Sequence, residues 1–129
     1  MTRQTKSMST PLARVRGLGS AKSGLHHWWH QRVSAVAMVG LVTWVVFLVF
    51  SLAEADYHTA LDVLGHPAHA IVMVLFVAVG LWHASLGLQV VLEDYVANEV
   101  VRLIAILAVK MAASVIAALA IFSVLKVAL

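Results

Sequence analysis

His83, Lys110 and the triplet Glu93-Asp94-Tyr95 place polar side chains inside, or at the end of, long apolar segments of this sequence. Polar and ionisable groups at membrane depth are costly and rare, so each is a candidate functional residue. A neutral imidazole is a common metal ligand, and a tyrosine hydroxyl donates a hydrogen bond to a carbonyl oxygen. Arg32 adds five N–H donors close to the first of these segments. These residue types suit ligation of a metal and binding of a carbonyl-bearing ligand.

His83 is accompanied by Gly80 and Gly87, at i−3 and i+4, which lie on the same helical face. Small residues let a helix approach another backbone or a flat macrocycle closely. We therefore interpret His83 as an axial ligand of a haem, because imidazole is a standard ligand of haem iron. The alternative is a histidine hydrogen-bonded to a neighbouring helix, since small residues at this spacing also serve ordinary helix packing.

A second axial ligand is lacking at matching depth within this sequence. His69 lies 14 positions before His83, which is about 21 Å along a helix. The other five histidines precede the first apolar segment or lie in the loop after it: His26, His27, His30, His58 and His66. A bis-histidine haem would therefore need a histidine from another polypeptide. Two stacked haems on His69 and His83 are a competing interpretation, which needs a second helix with a matching histidine pair.

Asp94 and Tyr95 end the second apolar segment. Asp94 is 11 positions from His83, so it continues the face of the histidine toward the end of the helix. Arg32, at the start of the first apolar segment, is expected at similar depth. We predict that Arg32, Asp94 and Tyr95 together hold a quinone head group. The alternative is an ordinary helix terminus that re-enters water, with Tyr95 in the aromatic belt.

Lys110 interrupts the third apolar segment eight residues after Arg102, about 12 Å along a helix. A lysine at such a position is expected to extend its ammonium group toward the membrane surface. An ion pair with a haem propionate is the alternative.

The overall composition excludes several classes of protein. Of the 129 residues, 62% are hydrophobic and 12% are charged, and the mean hydropathy is +0.94. A soluble domain carries about twice that share of charged residues. A water-soluble globular enzyme, a disordered tail and a nucleic-acid module are therefore excluded. Because there is no cysteine, disulfides, iron–sulfur ligation and covalently attached haem are excluded as well.

Three runs poor in charge predict an all-α membrane protein. Residues 33–53 and 63–92 contain no Asp, Glu, Lys or Arg, and residues 103–125 contain only Lys110. Each run has at least the roughly 20 residues that a helix needs to cross a bilayer. We predict transmembrane helices at about 31–53, 68–93 and 100–127. The β-branched stretch at 42–49 is predicted to be helical too, because an open strand leaves backbone groups unpaired in lipid.

The distribution of Lys and Arg predicts the orientation. Six lie in or beside the N-terminal arm and Arg102 follows the second helix, whereas the opposite side has only Lys126. The N-terminus is therefore predicted inside and the C-terminus outside. We divide the chain into a basic arm, residues 1–24, and a three-helix anchor, residues 25–129. The arm is expected to contact anionic lipid or docked subunits. The expected location is a bacterial inner membrane, and the acid-free arm leaves a mitochondrial inner membrane as the alternative.

Residues 83–96, with the sequence HASLGLQVVLEDYV, resemble the H-x(3)-G-x(6)-D-Y signature of the succinate dehydrogenase small membrane anchor. This anchor is the D subunit of the cytochrome b part of complex II. Residues 24–35, with the sequence GLHHWWHQRVSA, are similar to the opening of that family. The resemblance covers about residues 17–129 and depends mainly on the spacing of His83, Gly87, Asp94 and Tyr95.

This resemblance implies a role for each matched position. His83 would be one axial ligand of haem b, with the other ligand on a sister anchor. Tyr95 would hydrogen-bond a ubiquinone carbonyl, and Asp94 would support that site. Arg32 would lie near a haem propionate or the quinone. The resemblance assigns nothing to Lys110.

The same resemblance implies a place in a larger enzyme. The expected partners are a second membrane anchor, an iron–sulfur subunit, a flavoprotein subunit and the lipid bilayer, with no nucleic acid. Succinate oxidation would occur on the soluble subunits, so this chain would hold no complete active site. Two alternatives remain open at this point: a haem-free anchor of a fumarate reductase, and a subunit of a di-haem cytochrome b.

Overall fold

A computed structural model describes residues 10–16 and 22–129, and these ranges contain helices and connecting turns but no strand. Of the predicted basic arm, Arg3 and Lys6 lie outside the described residues. Five helices occur in the described ranges: α1 (Pro11–Val15), α2 (Lys22–Leu52), α3 (Tyr57–Gly65), α4 (Pro67–Tyr95) and α5 (Glu99–Ala128). The prediction of an all-helical chain is confirmed.

Three of these helices are long and apolar enough to cross a membrane: Gly24–Leu52, Pro67–Tyr95 and Glu99–Ala128. Each has 29 or 30 residues, so each is about 44 Å long and exceeds the ~30 Å hydrocarbon core. The three predicted transmembrane helices are confirmed. The β-branched stretch at 42–49 lies inside α2, as expected for a segment that must satisfy its own backbone hydrogen bonds.

The start of α2 differs from the prediction. The helix begins at Lys22 rather than near residue 31, so His26, His27 and His30 lie within it instead of preceding it. Charge-free runs mark the apolar part of a helix, but they do not mark where its backbone hydrogen bonding begins. Here the additional turns are supported by tertiary contact, because the His30 ring lies against the Trp82 ring of α4 with centroids 5.9 Å apart.

The loop after α2 contains one short helix, α3, which the sequence did not predict. Asp56 caps it, and its carboxylate accepts a hydrogen bond from the Thr59 backbone N–H at 3.0 Å. Hydrogen bonds from the Thr59 side chain and backbone lower the pKa of Asp56 below its ordinary value. The cap therefore stabilises α3 at pH values above the ordinary pKa of an aspartate. This contribution is lost as the pH falls through the lowered pKa.

Tight connections fix how α3, α4 and α5 follow one another. His66 ends α3 and also caps α4, where its Nδ1 accepts from the Ala68 N–H at 3.3 Å and Pro67 occupies the first turn. Three residues separate α4 from α5, and the Asn98 side chain caps α5 by accepting from two backbone N–H groups. Short connections of this kind make successive long helices antiparallel neighbours.

The helix α4 lies between α2 and α5 and packs against both, whereas α2 and α5 share few contacts within the described ranges. Only Leu48 and Ala70 are buried among the described hydrophobic residues, at 4% and 6% exposure. Large apolar side chains cover the outside of the helices instead. Such a chain has no core of its own to hold it together in water, so lipid or other subunits must cover these surfaces.

Candidate functional site

The imidazole of His83 is held by α2. Its Nδ1 lies 2.9 Å from the Ser34 hydroxyl oxygen, and this contact joins the middle of α4 to α2. The Ser34 hydroxyl also lies 2.7 Å from the backbone carbonyl oxygen of His30, one turn earlier on its own helix. Within the described part of the chain, Nε2 of His83 has no hydrogen-bond partner.

The Ser34 hydroxyl has one hydrogen, which it can donate to a backbone carbonyl, that of His30 at 2.7 Å or Gln31 at 3.1 Å, or to Nδ1 of His83. When the hydroxyl donates to a carbonyl, its oxygen accepts from His83 and the imidazole proton lies on Nδ1. In this tautomer Nε2 has a free lone pair. A histidine that ligates a metal through one nitrogen and donates from the other has this arrangement.

His69 differs from His83 in the hydrogen bonding of its Nδ1 atom. The Trp44 indole N–H donates to Nδ1 of His69 at 3.3 Å, and the two rings lie 5.8 Å apart. Because indole is a donor only, Nδ1 of His69 accepts and the proton of the neutral ring lies on Nε2. This tautomer has no free lone pair for a metal. The arrangement disfavours a pair of equivalent haem ligands on α4.

The glycines near His83 serve the packing of α4 on α2. A Cβ atom added to Gly80 would lie 3.5 Å from the Met38 side chain, and one added to Gly87 would lie 3.6 Å from Nε2 of Gln31. Both distances are ordinary van der Waals contacts with α2. The two glycines therefore allow α4 to pack closely on α2.

A pocket with several polar residues opens between the first turns of α2 and the last turns of α4, where Gln89 lies six residues, about 9 Å, after His83. Its volume is ≈ 410 Å³. Three of its side-chain atoms are buried and have no hydrogen-bond partner among the described residues: Nε2 of His27, Oε1 of Gln31 and Oε1 of Gln89. Buried polar atoms of this kind are ordinarily satisfied by water or a ligand. Water or a polar ligand in this pocket would satisfy the three atoms.

Arg32 lines this pocket, together with Glu93 at the end of α4. Its guanidinium lies over the Trp28 ring, 5.6 Å from the centroid, a cation–π contact that orients the group. Gln89 donates from its amide nitrogen to the Glu93 carboxylate at 2.7 Å. The expectation that Arg32 lies near the level of the Glu93-Asp94-Tyr95 triplet is consistent with these positions.

The structure does not bring Asp94 and Tyr95 into the pocket of Arg32. Neither residue lines it, Tyr95 is 84% exposed, and Asp94 is exposed without a hydrogen bond or ion pair to any described residue. The reason is helical geometry, because Tyr95 lies about 200° around α4 from Glu93. The joint role of Arg32, Asp94 and Tyr95 at a quinone head group stays a prediction. A quinone site at Tyr95 needs lining residues from another molecule.

Four residues of this region were not assigned a role from the sequence. Ser34 stands in the Arg-x-Ser-Ala opening of the first span, but nothing in the sequence pairs it with His83. Three further polar residues, His27, Gln31 and Gln89, line the pocket. The spacing of His27 and Gln31 at i and i+4 was a usable signal, since it places both on one face of a helix.

No group of three or more His, Cys, Asp or Glu residues in the described ranges is arranged to hold a metal ion.

Comparisons with known proteins agree with one another. The family model described as the succinate dehydrogenase/fumarate reductase transmembrane subunit matches residues 6–120. A succinate dehydrogenase hydrophobic membrane anchor subunit of Rickettsia bellii is 34% identical, over 83% of this chain and 86% of that protein. The subunit of the same name from Paracoccus denitrificans is 35% identical, over 67% of each chain. No solved structure matches the chain significantly.

Proposed function

Because this chain belongs to the succinate dehydrogenase/fumarate reductase transmembrane subunit family, as a hydrophobic membrane anchor of succinate dehydrogenase, we propose that it contributes one axial ligand of a haem b and part of a ubiquinone site. It is a multi-pass membrane protein and a non-catalytic part of an enzyme complex. Its bilayer would be the bacterial inner membrane, with the N-terminus inside.

The observation that carries the haem proposal is the 2.9 Å contact between Nδ1 of His83 and the Ser34 hydroxyl, which leaves Nε2 without a hydrogen-bond partner among the described residues. In the proposed tautomer Ser34 accepts from Nδ1, so that Nε2 would ligate iron at the middle of α4. A second membrane anchor would supply the other axial ligand, since no further histidine of this chain lies at that depth with a free lone pair. When bound, the haem supplies a one-electron redox centre, and the protein tunes it through the ligand and its hydrogen bonds.

Arg32 and the polar pocket suit the polar edge of such a cofactor or a quinone head group. The guanidinium is a fixed cation with five donors, and propionate or carbonyl oxygens accept hydrogen bonds. The Gln31 amide can rotate to present its donor to an acceptor, whereas the Gln89 amide is held by its bond to Glu93. Arg32 and Gln31 therefore fit the acceptor oxygens of the proposed group.

Tyr95 and Asp94 are proposed to form this chain's share of the ubiquinone site. The Tyr95 hydroxyl would donate to a quinone carbonyl, and Asp94 would support the site. Support comes from position and exposure, because both side chains lie at the C-terminal end of α4 and are left exposed by the described residues of this chain. The iron–sulfur subunit would complete the pocket and deliver electrons from succinate oxidised on the flavoprotein subunit.

Co-purification tests the proposed assembly. Solubilising membranes in mild detergent and isolating the complex through a tag on this chain is expected to yield a second membrane anchor, an iron–sulfur protein and a flavoprotein in equal amounts. Quantitative mass spectrometry of the purified complex provides the stoichiometry. Isolation of the chain with lipid alone would contradict the proposal.

Replacing Ser34 with alanine tests how His83 is held. The variant removes the acceptor for the Nδ1 proton, so the imidazole becomes a weaker donor to iron and is less well oriented. We expect haem retention about 10-fold weaker and a higher midpoint potential, measured by redox titration of the purified complex.

Two variants control this experiment. Ser34→Thr keeps a hydroxyl and is expected to keep the wild-type potential. Ser51→Ala removes another hydroxyl of α2, one that bonds only the Leu48 carbonyl, and is expected to change neither quantity. An unchanged potential and unchanged haem retention in Ser34→Ala would show that this hydrogen bond does not position a ligand.

A further inference from the structure

Lys110 is a cation inside a transmembrane helix that the proposed function does not use. It is the single charged residue between residues 103 and 125. Its side chain is exposed and forms no ion pair with any residue in the described ranges. An unpaired ammonium in the hydrocarbon core is costly, and ionisable residues at this depth ordinarily pair with another group.

The depth of Lys110 decides which kind of anion can reach it. It lies 3 to 4 residues from the middle of the 30-residue α5, so its Cα is about 5 Å from the bilayer midplane when α5 is centred. A lysine side chain extends the ammonium by about 6 Å toward the surface, to about 11 Å from the midplane. Lipid phosphates lie about 20 Å from the midplane. The ammonium of Lys110 therefore stops well short of them.

Lys110 lines a groove of ≈ 400 Å³ between α4 and α5. Small side chains form much of its wall: Ala78, Ser85, Ala113, Ser114 and Ala117. Small residues permit close approach of another transmembrane helix. The groove therefore combines room for a helix backbone with a cation at its edge.

The groove lies on the α5 side of α4, whereas His83 is held on the α2 side by Ser34. Lys110 is thus separated by α4 from the proposed haem ligand. A pairing of Lys110 with a propionate of a haem held by His83, which was the alternative at the level of sequence, is disfavoured by this arrangement.

A second copy of this chain cannot supply the missing anion. Its three spans carry no Asp or Glu across residues 33–53, 63–92 and 103–125. Only a different polypeptide can place a carboxylate at this depth. We propose that the α4–α5 groove docks a transmembrane helix of another subunit, and that an Asp or Glu of that helix pairs with Lys110.

The inference is tested on the assembled complex with three variants. Lys110→Gln removes the charge and leaves the partner carboxylate unpaired, so we expect this subunit to dissociate at least 10-fold faster in detergent. Lys110→Arg keeps the charge and is expected to dissociate at the wild-type rate. Lys126→Gln removes a cation from the outer end of the same helix and is the matched control. Clear-native electrophoresis over a time course measures the fraction of subunit retained.

Cross-linking identifies the partner group without any mutation. A membrane-permeant carbodiimide applied to the wild-type complex is expected to join the Lys110 amine to a carboxyl group within a transmembrane segment of another subunit, detected by peptide mass spectrometry. A complex without such a link overturns the proposal, as does Lys110→Gln dissociating at the wild-type rate. Loss of a co-purifying anionic lipid from Lys110→Gln, without a carboxyl link, would instead assign the groove to lipid.

Discussion

Replacing His83 with alanine is expected to abolish the low-spin b-type absorbance of the purified complex. The variant removes the proposed axial ligand of this chain, and the sister ligand alone cannot give a six-coordinate low-spin iron. The reduced-minus-oxidised optical spectrum measures this loss. Subunit quantification of the same sample shows whether the complex remains assembled.

His69→Ala is the matched control for this experiment, since it removes a second histidine from the same helix. Its ring accepts from Trp44 and is not arranged to bind iron, so the spectrum is expected to remain. Loss of half the haem in His69→Ala would favour a di-haem cytochrome. An unchanged spectrum in His83→Ala, with the complex intact, would remove His83 from the haem site.

Replacing Tyr95 with phenylalanine is expected to lower quinone reduction by about 10-fold or more, because a hydrogen bond to the reacting carbonyl is lost. Succinate oxidation by an artificial dye should remain near the wild-type rate, since that reaction ends on the soluble subunits. The ratio of the two activities in the same preparation is the measurement. Tyr95 is 84% exposed in this chain, so the substitution disturbs little of its internal packing.

Tyr57 provides the control for Tyr95, because these are the two tyrosines of the sequence and both are exposed. Tyr57 starts α3, at the opposite end of α4 from Tyr95. Tyr57→Phe is expected to leave both activities unchanged. An equal fall of the dye and quinone activities in Tyr95→Phe would point to a general loss of assembly and would contradict a local role in quinone binding.

The transmembrane part of the fold was predictable because charged residues are costly in lipid, so membrane spans can be recognised in the sequence as runs that are poor in charge. Two runs without Asp, Glu, Lys or Arg, and a third that contains only Lys110, located three spans, and helices occupy all three. The same signal could not locate the start of α2, whose first turns carry polar and aromatic residues and depend on contacts such as that of His30 with Trp82. It also missed α3, whose start depends on the local cap at Asp56.

Residue types within one helix could be predicted to belong to the candidate site, whereas the contacts between helices could not. His83 stands out because an imidazole in an apolar run is rare, whereas Ser34 is unremarkable until α2 is seen beside α4. Helical angles correctly relate residues of one helix. They do not show how Arg32 of α2 stands relative to Tyr95 of α4, because that depends on how the two helices pack.

The central claim is that Nε2 of His83 binds a haem iron whose other axial ligand comes from a different chain. Counting haem against this subunit in the wild-type complex, by pyridine haemochrome absorbance and quantitative mass spectrometry, tests it most directly. The account predicts one b haem per copy of this chain in the assembled complex and none on the isolated chain. An assembled complex without b-type absorbance, or an isolated chain that keeps a low-spin haem, would contradict it.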